Sequence, residues 1–258
     1  SLDSVLPAKA DKRKLTVEYT NTPSWLMIQT LPTVSEYCNQ SSLSLASAYY
    51  ATTISANILQ SNPEIKKAID SWTAENTSLL SNLQRNDELK SIVLSESPWM
   101  LDAQDESGQK ALLATYYNKN NLSYKLSSIN KLLAETQNAD GSFSWWKGMR
   151  SSTYVTTSVA TLLSRLSAYG YSNSDVETML SKAMAYLDAA ATSRMHEMKK
   201  QKQPSLSSVD LDYLYLCALT KAGETPTIKY FKSLLLKANR KVDIRTKAIA
   251  AIALGKDN

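Results

Sequence analysis

Glycine and proline are scarce in this chain, at 6 and 7 among 258 residues. An all-β protein of this length needs many turns, and turns draw heavily on those two residue types. The shortage favours helices joined by short connections, and the abundance of alanine, leucine, serine and lysine points the same way. Histidine occurs once and cysteine twice. No CxxC pair or Cys/His cluster is present, so a structural zinc site is not expected, and a single histidine gives little basis for a Ser/His/Asp arrangement. No run of about 18 apolar residues occurs, so no membrane-spanning helix is expected.

Charge of one sign is also missing as a concentrated feature. The net charge is +5, but Lys and Arg are scattered apart from "KADKRK" (9–14) and "MKKQKQ" (198–203). A nucleic-acid groove gathers basic side chains on one face with aromatics between them. Neither run does so, and both read as solvated helix ends and loops; nucleic acid is not an expected partner. The chain starts at Ser1, without methionine or a signal-like apolar run, as a mature or excised piece would.

What is present is helical period, over most of the length. The exception is residues 1–22, where "KRKLTVEYT" alternates with Leu15, Val17 and Tyr19 on one side and reads as a β-strand. "NTPSWLMIQTLP" then looks like a helix start, with Thr22 as cap and Pro23 in the first turn. In 41–60, Leu45, Ala48, Tyr49, Ala56 and Leu59 form a broad apolar face, and Asn62–Pro63 starts the next helix. Asn120–Asn121 reads as a break between two further helices. Val155, Val159, Leu162, Leu163 and Leu166 repeat at three and four residues; Ser174 and Glu177 have capping-box spacing; Gly223 reads as the end of "LSSVDLDYLYLCALTKAG". About ten to twelve helices result. Several are apolar over more than one stripe, which implies contact on two sides and stacked layers rather than a simple bundle. The expected fold is all-α, an α/α toroid with inner and outer helix rings at 21–258, preceded by a strand or linker segment at 1–20.

Two stretches carry possible chemistry. The first is "QNADGSFSWW" (137–146), in which Asp140–Gly141 signals a turn. Gln137 and Asp140 can bond the backbone that such a turn exposes, and Phe143, Trp145 and Trp146 can pin it to adjacent helices. A structural staple is the favoured reading for all three aromatics; a ligand platform is the other. The second stretch is "LPTVSEYCNQSSLSLASAYYA" (31–51), in which Cys38 stands two residues before Gln40. Cys38 lies near a helix start, where a thiolate is favoured, but free cysteines more often pack as small hydrophobes, and a buried or merely tolerated cysteine is expected. Cys217, on an apolar helical stripe, is expected to be buried. His196, in the polar stretch "SRMHEMKK", is expected at the surface.

The turn at Gln137, Asp140, Gly141, Ser142 and Phe143 resembles the Q-x-x-D-G-[SG]-[WF] element that recurs in α/α toroids of terpenoid cyclases, protein prenyltransferases and thioester-containing domains. Together with "PSWLMIQTLPTVSEY" (23–37), "AYYATTIS" (48–55), "SLLSNLQRNDELKSIVLSESPWMLDAQDE" (78–106) and "SFSWWKGMRSSTYVTTSVATLLSRL" (142–166), it is similar to the thioester-domain region of large bacterial α2-macroglobulin-like proteins. The resemblance runs over about residues 20–258. It implies one piece of a longer, exported periplasmic protein that traps proteases, with neighbouring macroglobulin-type domains and target proteases as partners and no cofactor. The strand at 12–19 would belong to the flanking β-domain. Many members of that family carry a thioester in the pattern C-x-E-Q. Here the ungapped register puts Ser41 at the cysteine position and Ser44 at the glutamine position, so the resemblance implies a non-enzymatic domain without the covalent chemistry. The alternative is a toroid carbohydrate-active enzyme with paired carboxylates and Trp145 and Trp146 as sugar platforms. Aspartate-rich metal motifs of cyclases are missing: "VDLDY" supplies only Asp210 and Asp212, which diverge on a helix.

Overall fold

The computed structural model describes residues 23–83, 110–237 and 243–255, with the side chains of all of these except 23–26 and 75–83. The described residues are all-α, with no strand among them. In chain order the helices are α1 (Pro23–Val34), α2 (Ser42–Ser61), α3 (Pro63–Leu83), α4 (110–116), α5 (Lys119–Glu135), α6 (Thr153–Ala168), α7 (Ser174–Met198), α8 (Ser208–Leu219), α9 (Pro226–Lys237) and α10 (Ile244–Leu254). The strand expected near residues 12–19 and the cap expected at Thr22 lie outside the described residues.

The helices form two rows. In one, α2 packs on α6, α6 on α8, and α8 on α10. In the other, α5 lies against α2, α7 against α6, and α9 against α7 and α8. From α5 onward the chain alternates between rows. This explains why α2, α6 and α8 are apolar around much of their circumference: they are covered on more than one side. Leu45 and Ala48 of α2, Val155, Val159 and Leu163 of α6, and Leu214 and Leu216 of α8 are all at or below 1 % exposure. Several buried hydroxyls in these helices are satisfied by bonding back to the preceding turn, whereas those of Thr53 in α2 and Ser164 in α6 have no partner among the described residues. Thr52 Oγ1 donates to the Ala48 carbonyl at 2.7 Å, and Thr157 Oγ1 donates to that of Thr153 at 2.7 Å.

A second, smaller core sits beside the main one. It gathers Ile28 of α1, Ile69 of α3, Leu113 and Tyr117 at α4, and Leu122 of α5. The C-terminal half of α2 supplies its other wall through Ala56, Ile58 and Leu59, so α2 serves the main core with its first half and the small core with its second. A proline inside α1 accounts for one of its contacts. Pro32 has no N–H to give the carbonyl of Ile28, four residues back. That carbonyl is instead bonded by the hydroxyl of fully buried Tyr117, at 3.0 Å.

Three boundaries differ from those expected from sequence. The break before α5 falls at Asn118, whose side chain accepts from the N–H groups of Asn120 and Asn121; those two residues are inside the helix. The cap of α7 is Asn173, bonded to the N–H of Val176, rather than Ser174 in a capping box with Glu177. Helix α8 ends at Leu219, before Gly223. Lys221 takes the left-handed position (φ 53°), the N–H of Ala222 reaches back to the Cys217 carbonyl at 2.9 Å, and that of Lys221 reaches Ala218 at 3.4 Å. This is the six-to-one and five-to-two closure that a glycine usually makes.

Candidate functional site

The turn at 137–143 is held by the residues that mark it. Glu135 ends α5, and the chain reverses so that Gln137 and Phe143 form an isolated antiparallel bridge. The N–H of Asn138 bonds the Ser142 carbonyl at 2.8 Å, and that of Gly141 bonds the Asn138 carbonyl at 3.0 Å. Inside this reversal the Gln137 side-chain amide donates to two carbonyls, Gly141 and Met179, each at 2.9 Å. The Asp140 carboxylate accepts from the Ser142 N–H at 3.0 Å, the Ser142 hydroxyl at 2.6 Å and the Ser151 hydroxyl at 2.9 Å. Those hydrogen bonds, the Ser142 hydroxyl first, hold its pKa below the ordinary aspartate value.

Gly141 is required twice over. Its φ is +86°, and a Cβ built there would lie 2.3 Å from the Lys182 carbonyl oxygen of α7. The turn therefore lies directly on the α7 backbone, at Met179 and Lys182. Phe143 is fully buried in the main core, and its N–H donates to Thr156 Oγ1 of α6 at 2.8 Å.

The next residues reach α2. The Ser42 hydroxyl donates to the Ser144 carbonyl at 2.5 Å, and the Ser42 N–H donates to the Trp145 carbonyl at 3.0 Å. One loop thus ties the end of α5, the start of α6, the side of α7 and the N-terminus of α2 together. It also fixes the two stretches singled out in the sequence, 31–51 and 137–146, next to each other.

At the start of α2, Ser41 is the N-cap and is largely buried. Its hydroxyl accepts from the Ser44 N–H at 3.3 Å, so Ser41 and Ser44 are the two ends of a capping hydrogen bond. Cys38 is exposed, so of the two expected readings, buried or merely tolerated, the buried one does not apply. Its sulfur lies 4.0 Å from the Ser44 hydroxyl and 3.5 Å from the Asn39 amide nitrogen. Gln40 is exposed and precedes the cap. Cys217 is buried as expected, and burial pushes its thiol up to about 12. His196 is exposed.

The aromatics divide. Phe143 is the staple, but Trp145 and Trp146 are 41 % and 47 % exposed, and the expectation that they pin the turn does not hold. Trp145 lies between Trp146 (centroids 6.2 Å apart, 34° between planes) and Tyr154 of α6 (6.0 Å, 29°). No sequence pattern marks Tyr154 as their neighbour; it sits nine residues beyond Trp145, and only the return of the chain into α6 brings it back.

Tyr154 also stands at the edge of a cleft of about 500 Å³ along the exposed side of the α2–α6–α8–α10 row. Asp210 and Asp212 part company there, as expected. Asp210 turns away into the capping box of α8 with Ser207 and lies 3.6 Å from Arg194 of α7. Asp212 faces the cleft in contact with Arg245 of α10. Burial raises the Asp212 pKa, against the opposing pull of Arg245. Among the described residues no group of three or more His, Cys, Asp or Glu could hold a metal ion, and no helix is long and apolar enough to cross a membrane. Compared with protein-family models, with curated proteins and with solved structures, the chain matches none.

Proposed function

We propose that this chain is a thioester-free, toroid-type domain of a bacterial α2-macroglobulin-like protease trap, acting through packing and steric capture rather than covalent chemistry. The observation that carries the reading is the junction of the two resembling stretches. The residues directly after the Q-x-x-D-G-type turn, Ser144 and Trp145, are bonded by Ser42 at the start of α2, beside Ser41 and Ser44, which the ungapped register of the resemblance aligns with the reactive pair. A thioester needs a thiol and an acyl group from a glutamine; two serines supply neither, and their polar atoms are used in a helix cap. The alternation of chain between two helix rows is what part of an α/α toroid looks like, and the closed ring belongs to this proposal. So do export to the periplasm and the neighbouring macroglobulin-type domains and target proteases as partners.

The carbohydrate-active-enzyme alternative requires two facing carboxylates. Of the described residues lining the cleft, Asp212 alone is acidic, and it is engaged by Arg245. The exposed Trp145 and Trp146 favour a binding surface over catalysis.

The test uses the full-length parent protein, cut by a protease in the presence of methylamine and read by peptide mass spectrometry. The expected result is protease retained in native gels, released by denaturant, with no methylamine mass on residues 38–44. Methylamine incorporation there would overturn the thioester-free reading, and unimpeded protease activity on large substrates would overturn the trap.

A further inference from the structure

Apart from the proposed trap, we infer that the cleft along α2, α6, α8 and α10, with the aromatic ledge at its edge, is a binding site for an acidic oligosaccharide. Three features coincide. The first is the ledge: Trp145 stands 6.2 Å from Trp146 at a 34° tilt and stacks on Tyr154 at 6.0 Å and 29°, and all three rings are between 41 % and 51 % exposed. Trp145 stacks on Tyr154, and the outward, solvent-exposed part of this aromatic group offers flat apolar surface to the C–H face of a sugar ring. A hydrophobic side chain would be served as well by a closed apolar pocket, which this is not.

The second feature is the supply of unengaged hydroxyls in the cleft next to the ledge. Ser47 of α2 and Ser158 of α6 line it, and neither hydroxyl has a hydrogen-bond partner among the described residues. A cleft of about 500 Å³ with a few convergent polar groups has the size and character of a small-ligand site, which runs at roughly 300–1,000 Å³.

The third is Arg165. Its guanidinium is half-buried on the cleft wall, its carbon 5.5 Å from the centre of the Tyr215 ring, and it donates from Nε and Nη2 to the Tyr215 hydroxyl at 3.3 and 3.2 Å. No carboxylate pairs with it among the described residues, whereas the cleft's other arginine, Arg245, is matched to Asp212. Three of the five N–H donors of Arg165 remain, and a half-buried guanidinium favours a carboxylate held by two parallel hydrogen bonds. The ledge selects for sugar rings, the serines for hydroxyls and Arg165 for an acid group, which together describe a uronate-containing chain.

The probes are a galacturonate trimer, a neutral glucose trimer and a triglutamate peptide, titrated into the 258-residue chain by calorimetry and tryptophan fluorescence. The galacturonate trimer is expected to bind and shift the tryptophan emission, with the glucose trimer at least about tenfold weaker and the peptide weaker still. The W145A/Y154A double substitution should weaken galacturonate binding at least about tenfold while leaving the circular dichroism spectrum and Tm unchanged. Arg165→Gln should bring the acidic trimer down to the affinity of the neutral one, and Arg165→Lys should keep part of the preference. Absence of binding to both sugars at millimolar concentration overturns the proposal. So does equal or tighter binding of the peptide, which would make the surface a protein-docking face, and so does an Arg165→Gln variant that keeps full preference for the acidic trimer.

Discussion

Gly141 shows how much a single residue can dictate. Its left-handed backbone would strain any L-side chain by about 1–2 kcal/mol. Its Cβ position is also occupied by the Lys182 carbonyl, which belongs to a helix backbone and is not free to move aside. Gly141→Ala is therefore expected to destabilise the chain by about 2 kcal/mol or more, read as a lower denaturation midpoint. A variant of unchanged midpoint would mean that the turn does not rest on α7. The neighbouring aromatics behave oppositely to one another. Phe143→Ala removes a fully buried ring and should lose about 3–5 kcal/mol, while Trp146→Ala, at a half-exposed ring, should change stability by less than about 1 kcal/mol. Equal losses at the two positions would contradict the observed division. The roles of Gln137, Asp140 and Gly141 were legible in the sequence because turn chemistry is local. Which of three adjacent aromatics turns inward was not, because it depends on the helices that receive the turn.

Among the elements, helix ends separate what local sequence can and cannot specify. Ser41, Asn118, Asn173 and Ser207 are all residues with the short oxygen-bearing side chain that caps require, yet the capping-box spacing favoured Ser174 over Asn173. Adjacent candidates differ by one step along the chain, and the Asn173 side chain that caps Val176 also donates to the Tyr49 hydroxyl of α2 at 3.2 Å, a long-range contact the local pattern does not contain. The end of α8 is the sharper case. Glycine is the residue expected in the left-handed position, and Gly223 was available, but the helix closes two residues earlier on Lys221. Continuing to Gly223 would add further residues to a helix whose apolar face is spent by Leu219. A lysine at φ 53° costs about 1 kcal/mol relative to glycine, so Lys221→Gly should raise stability by about 0.5–1 kcal/mol without altering the fold. A decrease in the melting temperature would show that the lysine side chain contributes more than its backbone loses.

For the molecule as a whole, the hydrophobic period announced an all-α chain with helices covered on several sides, and the double row of α2–α6–α8–α10 against α5, α7 and α9 has that character. Nothing in the period indicated that the apolar residues divide into two cores, because each helix carries one broad face whichever core it serves. The division rests on long-range pairs such as Tyr117 with Ile28, 89 positions apart. That pair also links the small core's stability to a sequence feature that looks like a flaw. Pro32 interrupts the ladder of α1, and the orphaned Ile28 carbonyl is bonded by the Tyr117 hydroxyl in a setting where both are buried. Tyr117→Phe should leave that carbonyl unpaired, at about 1–3 kcal/mol. In a Pro32→Ala background the alanine introduced there has an N–H that can supply the missing helical bond, so the same Tyr117→Phe change should lose markedly less. Hydrogen exchange locates the effect: the amides of α1 and α4 should exchange faster in the single variant and recover in the double, while those of α6 and α8 stay protected throughout. Equal losses in the two backgrounds would show that the tyrosine acts through its ring packing alone, and uniform loss of protection would show that the two cores open as one.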